Sequence, residues 1–376
     1  MHPEQRVTPL ELFFDLVFVF ALTQVTAMLA EDSTDGGLVH ALLVLVALWW
    51  AWSAYAWLTN NVDPNGTPQR IVVFTAMGAM LIAALAVPQA FGDEAMVFAL
   101  AYLAVRLAHI GLFLVGAADA AHRRSILRYT PTSVLGPALI VVAAAIGGDA
   151  QVALFGVALA LDLAGPYFSG TSGWVLSPGH FAERYSLIVI IALGESIVAI
   201  GVGAEGLALD AGELVAAALG VAASAAMWWL YFDVIAVVAE RVLHERTGRE
   251  QLELARDAYS YLHFLMVAGI VFFALGVKKT LQHVGDELGT VPAICLAGGL
   301  GLYLLGHVLF RLRVRGTLNP QRTVAALACI PLAAVATAVP ALLALALTAA
   351  LVCGLVVYEA VRFADTRARI RAQSAA

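Results

Sequence analysis

The sequence predicts an all-α protein, a polytopic transmembrane helix bundle of about twelve spans arranged as two parallel six-helix repeats. Of its 376 residues, 61% are hydrophobic and 13% are charged, and the mean hydropathy is +0.87. In soluble domains about a quarter of the residues are charged. The apolar residues gather in stretches of membrane-spanning length, and the arginines gather in alternate connections between them. These three observations indicate a membrane protein and exclude a set of soluble domains.

Twelve apolar stretches are long enough to cross a hydrocarbon core of about 30 Å, which takes roughly 20 helical residues. They cover approximately residues 10–29, 38–58, 70–88, 95–117, 131–147, 150–167, 183–203, 211–238, 257–277, 291–312, 322–339 and 341–362. Because the number of spans is even, both termini are expected on the same side of the membrane.

The connections between spans alternate in charge. Those after odd-numbered spans are acidic, as in EDSTDGG and FGDEA, whereas those after even-numbered spans carry arginines. Apart from Lys278, Lys279 and Arg106, all of the 21 lysines and arginines lie on the even side or in the tails. Since cytoplasmic loops are enriched in Lys and Arg, we expect both termini in the cytoplasm and the protein in the cytoplasmic membrane.

Four landmarks recur in the same order in the two halves of the chain. They are ELFFDLVFVFALTQV from Glu11 with ERYSLIVIIALGESIV from Glu183, Trp49-Trp50 with Trp228-Trp229, Gly78 with Gly269, and His109 with His307. This order predicts the duplication of a six-span unit, with residues 1–178 as the first repeat and 179–376 as the second. Residues 239–258 are expected to form a cytoplasmic linker inside the second repeat. Two units with six spans each share one orientation, as in transporters built from parallel repeats.

A carboxylic acid lies in the middle of the seventh span. Glu195 follows Glu183 by 12 residues, which places it about 18 Å further along a helix and inside the hydrocarbon core. A charge at that depth costs about 2.5 to 3.5 kcal/mol on the insertion scale, so it must be protonated, paired, or turned toward protein or water. We interpret Glu195 as a functional acid; the alternative is a protonated residue that serves packing. Arg184 beside Glu183 offers an interfacial ion pair.

Two further acids share a face at the start of the first span. Glu11 and Asp15 are four residues apart, just after the helix-entry signal Thr8-Pro9. An acid in the first turn of a helix is favoured by the helix dipole, which explains Glu11 more readily than the deeper Asp15. Both are therefore candidates for an ion-binding or substrate-binding site.

Charged and polar residues in other spans complete the set of candidates. Arg106 and His109 should share one helix face, as should His307 and Arg311. Histidine changes charge between pH 5 and 8, which suits proton coupling, and a buried arginine needs an acidic partner. The candidates for the partner of Arg106 are Asp15, Asp162, Glu195 and Asp233. The remaining candidates for the site are Gln24 and Glu183. Because the eighth span continues past Trp228 and Trp229 to Asp233, the two tryptophans are expected to pack in the core.

Several classes of function lack their signatures in this sequence. The three cysteines, Cys295, Cys329 and Cys353, form neither a CxxC pair nor a ligand cluster, so no metal site is predicted. The sequence contains no phosphate-binding loop, serine-hydrolase motif or zinc-protease motif, and no basic, aromatic surface for nucleic acid. It identifies no catalytic residue and no cofactor. The amino terminus is acidic where a cleavable signal is basic, so the first span is expected to be retained.

Two runs of sequence carry a resemblance to a known family. TPLELFFDLVFVFALTQV, from Thr8 to Val25, and HFAERYSLIVIIALGESIVAIG, from His180 to Gly201, resemble the bacterial low-temperature-requirement A (LtrA) family. The resemblance implies a polytopic membrane protein of about this length that is linked to growth at low temperature. The residues that match the family's motif positions are Glu11, Asp15, Gln24, His180, Glu183, Arg184, Glu195 and Ser196.

Three classes of function fit these observations. The repeats and the intramembrane acids favour a secondary transporter, or a related ion-translocating protein, for a small solute or a proton, with a central site that contains Glu195 and Asp15. The second class is a channel-like or regulatory membrane protein. The third is an intramembrane enzyme that modifies lipid with Glu and His as acid and base. Apart from a small solute or a proton, the only partner that the sequence indicates is the lipid bilayer.

The arginine asymmetry makes a testable prediction of topology. In a variant without the native cysteines, a single cysteine at Gly36 should react with a membrane-impermeant thiol reagent added outside intact cells. A cysteine at Gly248 should react only after the cells are opened, because this segment is expected in the cytoplasm. External labelling at Gly248 would show the orientation to be reversed.

Overall fold

A computed structural model describes residues 6–62, 66–207 and 210–374. Its helices, in chain order, are α1 (Pro9–Glu31), α2 (Asp35–Asn61), α3 (Thr67–Ala86), α4 (Ala95–Val115), α5 (Ala120–Ile146), α6 (Gly148–Ser169), α7 (Pro178–Gly203), α8 (Ala211–Phe232), α9 (Ile235–Glu245), α10 (Gly248–Leu254), α11 (His263–Gln282), α12 (Thr290–Ala293), α13 (Gly299–Arg315), α14 (Pro320–Ala336), α15 (Ala341–Arg362) and α16 (Ala364–Ser374). A 3₁₀ turn, Val87–Gln89, follows α3, and π-helical segments, Ala255–Leu262 and Ile294–Gly298, precede α11 and α13.

The expected class of fold, an all-α bundle with many membrane-spanning helices, is confirmed. Within the described residues, eleven helical stretches are long and apolar enough to cross a membrane, and a twelfth apolar helix, α14, has 17 residues. At 1.5 Å per residue α14 is about 26 Å long, slightly shorter than the usual hydrocarbon core. The protein is thus an integral membrane protein that crosses the bilayer many times.

Two helix boundaries differ from those expected. The fifth span was expected to begin at Pro131, whereas α5 begins at Ala120, because Asp119 caps the helix by accepting a 2.7 Å hydrogen bond from the His122 N–H. This hydrogen bond lowers the pKa of Asp119. The eighth span was expected to run to residue 238, but α8 ends at Phe232 and the chain turns at Asp233 before α9.

The chain forms two compact units. The first contains the described residues of Met1–Met28, Gly36–Arg184 and Thr247–Arg256. The second contains those of Leu29–Asp35, Tyr185–Arg246 and Asp257–Ala376. The duplication of a six-span unit with its boundary at residue 178 stays a prediction.

Glycine allows close helix packing in the second unit. A Cβ atom on Gly269 of α11 would lie 2.5 Å from the Tyr303 nitrogen and 2.6 Å from the Gly299 carbonyl oxygen of α13. The two backbones therefore touch, as they do where small residues line a transmembrane helix interface. Gly78, its counterpart in the sequence comparison, has no heavy atom within 4 Å of the same position.

The exposure of the tryptophan pair of α8 differs from what the sequence predicted. Trp228 and Trp229 were expected to pack in the core, but their side chains are 46% and 40% exposed in the protein alone. The Arg367 guanidinium lies 5.6 Å from the centroid of the Trp229 ring, and the Trp228 ring stacks on that of Phe232 at a centroid distance of 5.2 Å.

Replacing Gly269 by alanine tests this packing. We expect Gly269→Ala to lower the free energy of unfolding by about 1 to 3 kcal/mol, because the added methyl group forces α11 and α13 apart. Gly78→Ala should cause no loss, since open space surrounds that position. Thermal and denaturant unfolding of the purified proteins in detergent measures the difference. Equal stability of the two variants would contradict the close contact.

Candidate functional site

Four charged or titratable side chains form a buried cluster in the first unit, here called the α1–α7 ionic cluster. Its members are Glu11 and Asp15 on the first turns of α1, and His180 and Arg184 on the first turns of α7. All four are at most 2% exposed. Each pair is four residues apart on its helix, so both side chains of a pair lie on one face.

Local sequence positions Glu11 through a capping box at the start of α1. The Thr8 N–H and hydroxyl donate hydrogen bonds to Glu11 Oε2, at 2.8 and 2.9 Å, and the Thr8 Oγ1 accepts from the Glu11 N–H at 3.4 Å. This reciprocal pairing of Thr and Glu three residues apart satisfies the free amides of the first turn. It leaves Glu11 Oε1 to contact α7.

Arg184 bridges the two carboxylates. Its Nη2 donates to Asp15 Oδ1 at 2.9 Å, and its Nη1 lies 3.3 Å from Glu11 Oε1. Trp52 of α2 also donates to Asp15 Oδ1, through Nε1 at 2.9 Å. The other oxygen, Asp15 Oδ2, is buried and has no hydrogen-bond partner among the described residues. It is therefore an open acceptor in a buried, charged site.

The hydrogen bonds of His180 determine its tautomer. Asn60 Oδ1 accepts from the Ser177 N–H at 2.7 Å, which orients the Asn60 amide so that its Nδ2 donates to His180 Nδ1 at 2.9 Å. Nδ1 therefore accepts, and the ring proton is on Nε2, which donates to Glu11 Oε1 at 2.9 Å. In this tautomer His180 is neutral. Two carboxylates then share one guanidinium, and the cluster has one negative charge in excess when both acids are ionised.

Arg106 forms an ion pair with one of its four candidate partners, within the first unit. Its Nη2 donates to Asp162 Oδ1 of α6 at 2.7 Å, and to the hydroxyl groups of Tyr129 and Ser133 of α5 at 3.0 and 3.2 Å. Arg106 is fully buried, and Asp162 is 1% exposed. Of the four acids that the sequence left open, Asp162 is thus the partner.

Small residues allow α5 and α6 to approach closely enough for this contact. A Cβ atom on Gly136 would lie 2.8 Å from the Ala158 carbonyl oxygen, and one on Gly165 would lie 2.4 Å from Thr132 Oγ1.

His109 lies on the same buried side of α4 as Arg106, as expected, and its ring contacts those of Tyr55 and Phe113 at centroid distances of 5.6 and 4.8 Å. Its surroundings are those of an aromatic packing residue.

The other candidates from the sequence are not members of this cluster. Glu183 is exposed and accepts from the Val7 N–H at 3.1 Å, so Arg184 pairs with Asp15 and Glu11 instead of with its neighbour. Gln24 is half-buried in α1. Glu195 and Ser196 are buried in the part of α7 that belongs to the second unit.

In the second unit, Asp233 pairs with Arg367, and His307 accepts a hydrogen bond from Arg322. Arg322 also forms an ion pair with Glu359 at 2.6 Å. Sequence reasoning missed Glu359, although it is the sole acid of the last predicted span, and counted Arg322 among the cytoplasmic arginines. It also missed Trp52 and Asn60, because uncharged polar residues near a span end are common. In the described part of the chain, no three His, Cys, Asp or Glu side chains are grouped to hold a metal ion.

The Arg106–Asp162 pair predicts a specific loss of stability. Asp162→Asn should lower the free energy of unfolding by about 3 to 5 kcal/mol, because it leaves the buried Arg106 without a counter-charge. Asp149→Asn removes an exposed acid from the first turn of the same helix and should cost less than about 1 kcal/mol. Unfolding of both purified variants in detergent gives the comparison. A similar small loss in both would show that the pair does not hold α4 to α6.

Comparisons with known proteins agree with the resemblance that the two motif runs carry. The family model described as Bacterial low temperature requirement A protein (LtrA) matches residues 6–357. A protein of Rhizobium meliloti (strain 1021), described as uncharacterized, is 32% identical over 312 residues, which are 79% of this chain and 75% of that protein. No solved structure matches the chain. The two runs that carry the resemblance supply all four residues of the α1–α7 ionic cluster, and the chain belongs to the bacterial low-temperature-requirement A family of membrane proteins.

Proposed function

We propose that this protein is a secondary transporter driven by protons, and that the α1–α7 ionic cluster is its proton-binding site. The observation that carries the proposal is the charge of the cluster. Glu11 and Asp15 share the single cation Arg184, while the hydrogen bond from Asn60 keeps His180 in a neutral tautomer. A buried negative charge in excess is costly in a membrane protein and is a functional site by default.

Asp15 is the acid that best suits the binding of a proton. Its Oδ1 already accepts two hydrogen bonds, whereas its Oδ2 has none in the described chain. A proton placed on Oδ2 removes the excess charge without breaking either existing hydrogen bond. Glu11, by contrast, uses both oxygens in contacts with Thr8, His180 and Arg184.

The size of the site favours a proton over a larger ion. A cavity of about 10 Å³ adjoins the cluster and is bounded by Glu11, Tyr55, Thr59 and Arg184. That volume holds about one water molecule. A water molecule there would provide a hydrogen-bonded route for a proton, but an organic solute does not fit.

The expected location in the membrane, the role of Glu195 and the link to growth in the cold form part of this proposal. We place the protein in the cytoplasmic membrane with both termini in the cytoplasm, so that the cluster lies toward the cytoplasmic ends of α1 and α7. Glu195, buried deeper in α7, is retained as a second acid of the transport cycle. The link to growth at low temperature follows from the family name.

Removing the titratable proton of Asp15 should abolish coupling. Purified protein is placed in liposomes with an imposed pH gradient and a clamped membrane potential, and is screened with amino acids, sugars and organic ions while a luminal dye reports pH. The wild type should move protons only together with a solute. Asp15→Asn should lose this coupled movement, because the amide keeps the shape but does not take up or release a proton. Glu11→Gln should also lose it, because one acid is then left for Arg184 and the excess negative charge is removed.

Glu183→Gln is the matched control, since it changes an exposed acid next to Arg184 and should leave coupling intact. Glu195→Gln tests the second acid separately. Membrane abundance, thermal stability and rescue of growth in the cold are measured for every variant. Continuous proton flux without any solute would identify a channel-like protein and refute the transporter. Full coupling in a stable Asp15→Asn would remove the cluster from the mechanism.

A further inference from the structure

A second polar cavity lies wholly within the second unit, and it is much larger than the cavity beside the ionic cluster. We call it the arginine pocket; its volume is about 500 Å³, in the range of small-molecule sites. Its walls come from the carboxyl ends of α8, α13 and α15, the amino end of α14, and the helices α9 and α16. The charged side chains of the lining are Asp233, Glu359, Arg311, Arg315, Arg322 and Arg367, and the lining also contains His307.

The lining of the pocket has a positive charge in excess. Arg322 makes a two-point contact with Glu359, at 2.8 Å from Nε and 2.6 Å from Nη2, and Arg367 pairs with Asp233. These two pairs neutralise both acids of the lining. Arg311 and Arg315 add two further positive charges, and the Arg311 Nε donates to the neutral hydroxyl of Thr317, at 3.3 Å.

His307 adds a buried hydrogen-bond donor to this wall. The Arg322 Nη1 donates to His307 Nδ1 at 2.7 Å, so the ring proton must be on Nε2. His307 is 1% exposed, and its Nε2 has no hydrogen-bond partner in the described part of the chain. A buried N–H without an acceptor is costly, which points to an acceptor supplied from outside the protein.

The start of α14 contributes to the same positive potential. Asn319 caps the helix by accepting from the Arg322 N–H, and Asn319, Pro320 and Gln321 all line the pocket. The amino end of a helix carries a partial positive charge and free N–H groups, which favour phosphate and other anions. The helix end, the arginines and the His307 donor therefore all favour a bound anion.

We propose that the arginine pocket binds an anionic phosphate headgroup of a membrane lipid. Val234, Ile235 and Val238 form an apolar wall beside the arginines, which suits a molecule with one charged and one apolar end. Arginine binds phosphate oxygens through two parallel N–H groups, and His307 donates to a further oxygen. The pocket is at the end of α13 and α15 that the arginine asymmetry predicts to be cytoplasmic, at the level of lipid headgroups.

The three exposed arginines at the end of α13 provide the test. Arg311 and Arg315 line the pocket, whereas Arg313 does not and pairs with Asp257 at 3.0 Å. Native mass spectrometry and thermal unfolding in detergent are used with added phosphatidylglycerol, with zwitterionic phosphatidylcholine as the reference lipid. The double variant Arg311→Gln/Arg315→Gln should weaken phosphatidylglycerol binding about tenfold, by loss of charge-assisted hydrogen bonds, and Arg313→Gln should leave it unchanged.

Further measurements distinguish a lipid phosphate from a soluble phosphate as the ligand. Soluble glycerol phosphate and inorganic phosphate are titrated as competitors; displacement of the lipid by either at millimolar concentration would show a site for a soluble phosphate and refute the lipid as its ligand. His307→Phe, which keeps a ring in place, should weaken phosphatidylglycerol binding while stability in phosphatidylcholine is retained. Equal binding of the two lipids by the wild type, or equal loss in Arg313→Gln and the double variant, would overturn the proposal.

Discussion

The cost of burying charge is the constraint on which this structure depends. An ionised side chain inside a membrane bundle must be paired or turned toward water, and three buried arginines in the described part of the chain each meet a carboxylate from another helix. Arg184 joins α7 to α1, Arg106 joins α4 to α6, and Arg322 joins α14 to α15. In hydrocarbon, where apolar surfaces gain little by meeting each other, such pairs decide which helices are neighbours.

Close packing makes these pairs possible. The side chain of Asp162 reaches Arg106 because Gly136 and Gly165 bring α5 and α6 together, which places Tyr129 and Ser133 beside the same guanidinium. An ion pair between helices held further apart would leave the charges unpaired in a low-dielectric medium, at a cost of several kcal/mol for each ion. The pairing of buried charges therefore depends on the close helix packing that small residues allow.

The sequence predicted the class of fold and most of the charged residues of the site, but not their pairing. Hydropathy and arginine asymmetry depend on long stretches, so they identified the spans well, whereas Pro131 and the arginines before it concealed the start of α5. Glu11 and Asp15 followed from helical spacing, whereas His180 entered through the family resemblance alone and Arg184 was expected to pair with Glu183. One sequence does not determine which helices are in contact, so Arg106 had four possible partners. Trp52 and Asn60 carry no charge and gave no signal.

One contact between side chains recurs at aligned positions in the two halves of the chain. When Ala21 is aligned with Ala192, Asp15 falls on Ser186, and Trp52 and Tyr231 each lie three residues after the first tryptophan of their recurring pair. Trp52 donates to Asp15 in the first unit, and the Tyr231 hydroxyl lies 3.5 Å from the Ser186 hydroxyl in the second. If the halves arose by duplication, the contact was kept while the acid was present in only one copy.

The balance of charge separates a structural ion pair from a functional one. Arg106 with Asp162, and Arg322 with Glu359, each contain one charge of either sign, so the charges balance within each pair. The α1–α7 ionic cluster has two acids for one arginine, and Asn60 holds His180 in the tautomer that adds no positive charge. Protonation of Asp15 removes the excess and also weakens its attraction to Arg184, the residue that ties α1 to α7. Binding of one proton would thus change the strength of a contact between two helices, which is what a transporter needs in order to couple a proton to a change of conformation.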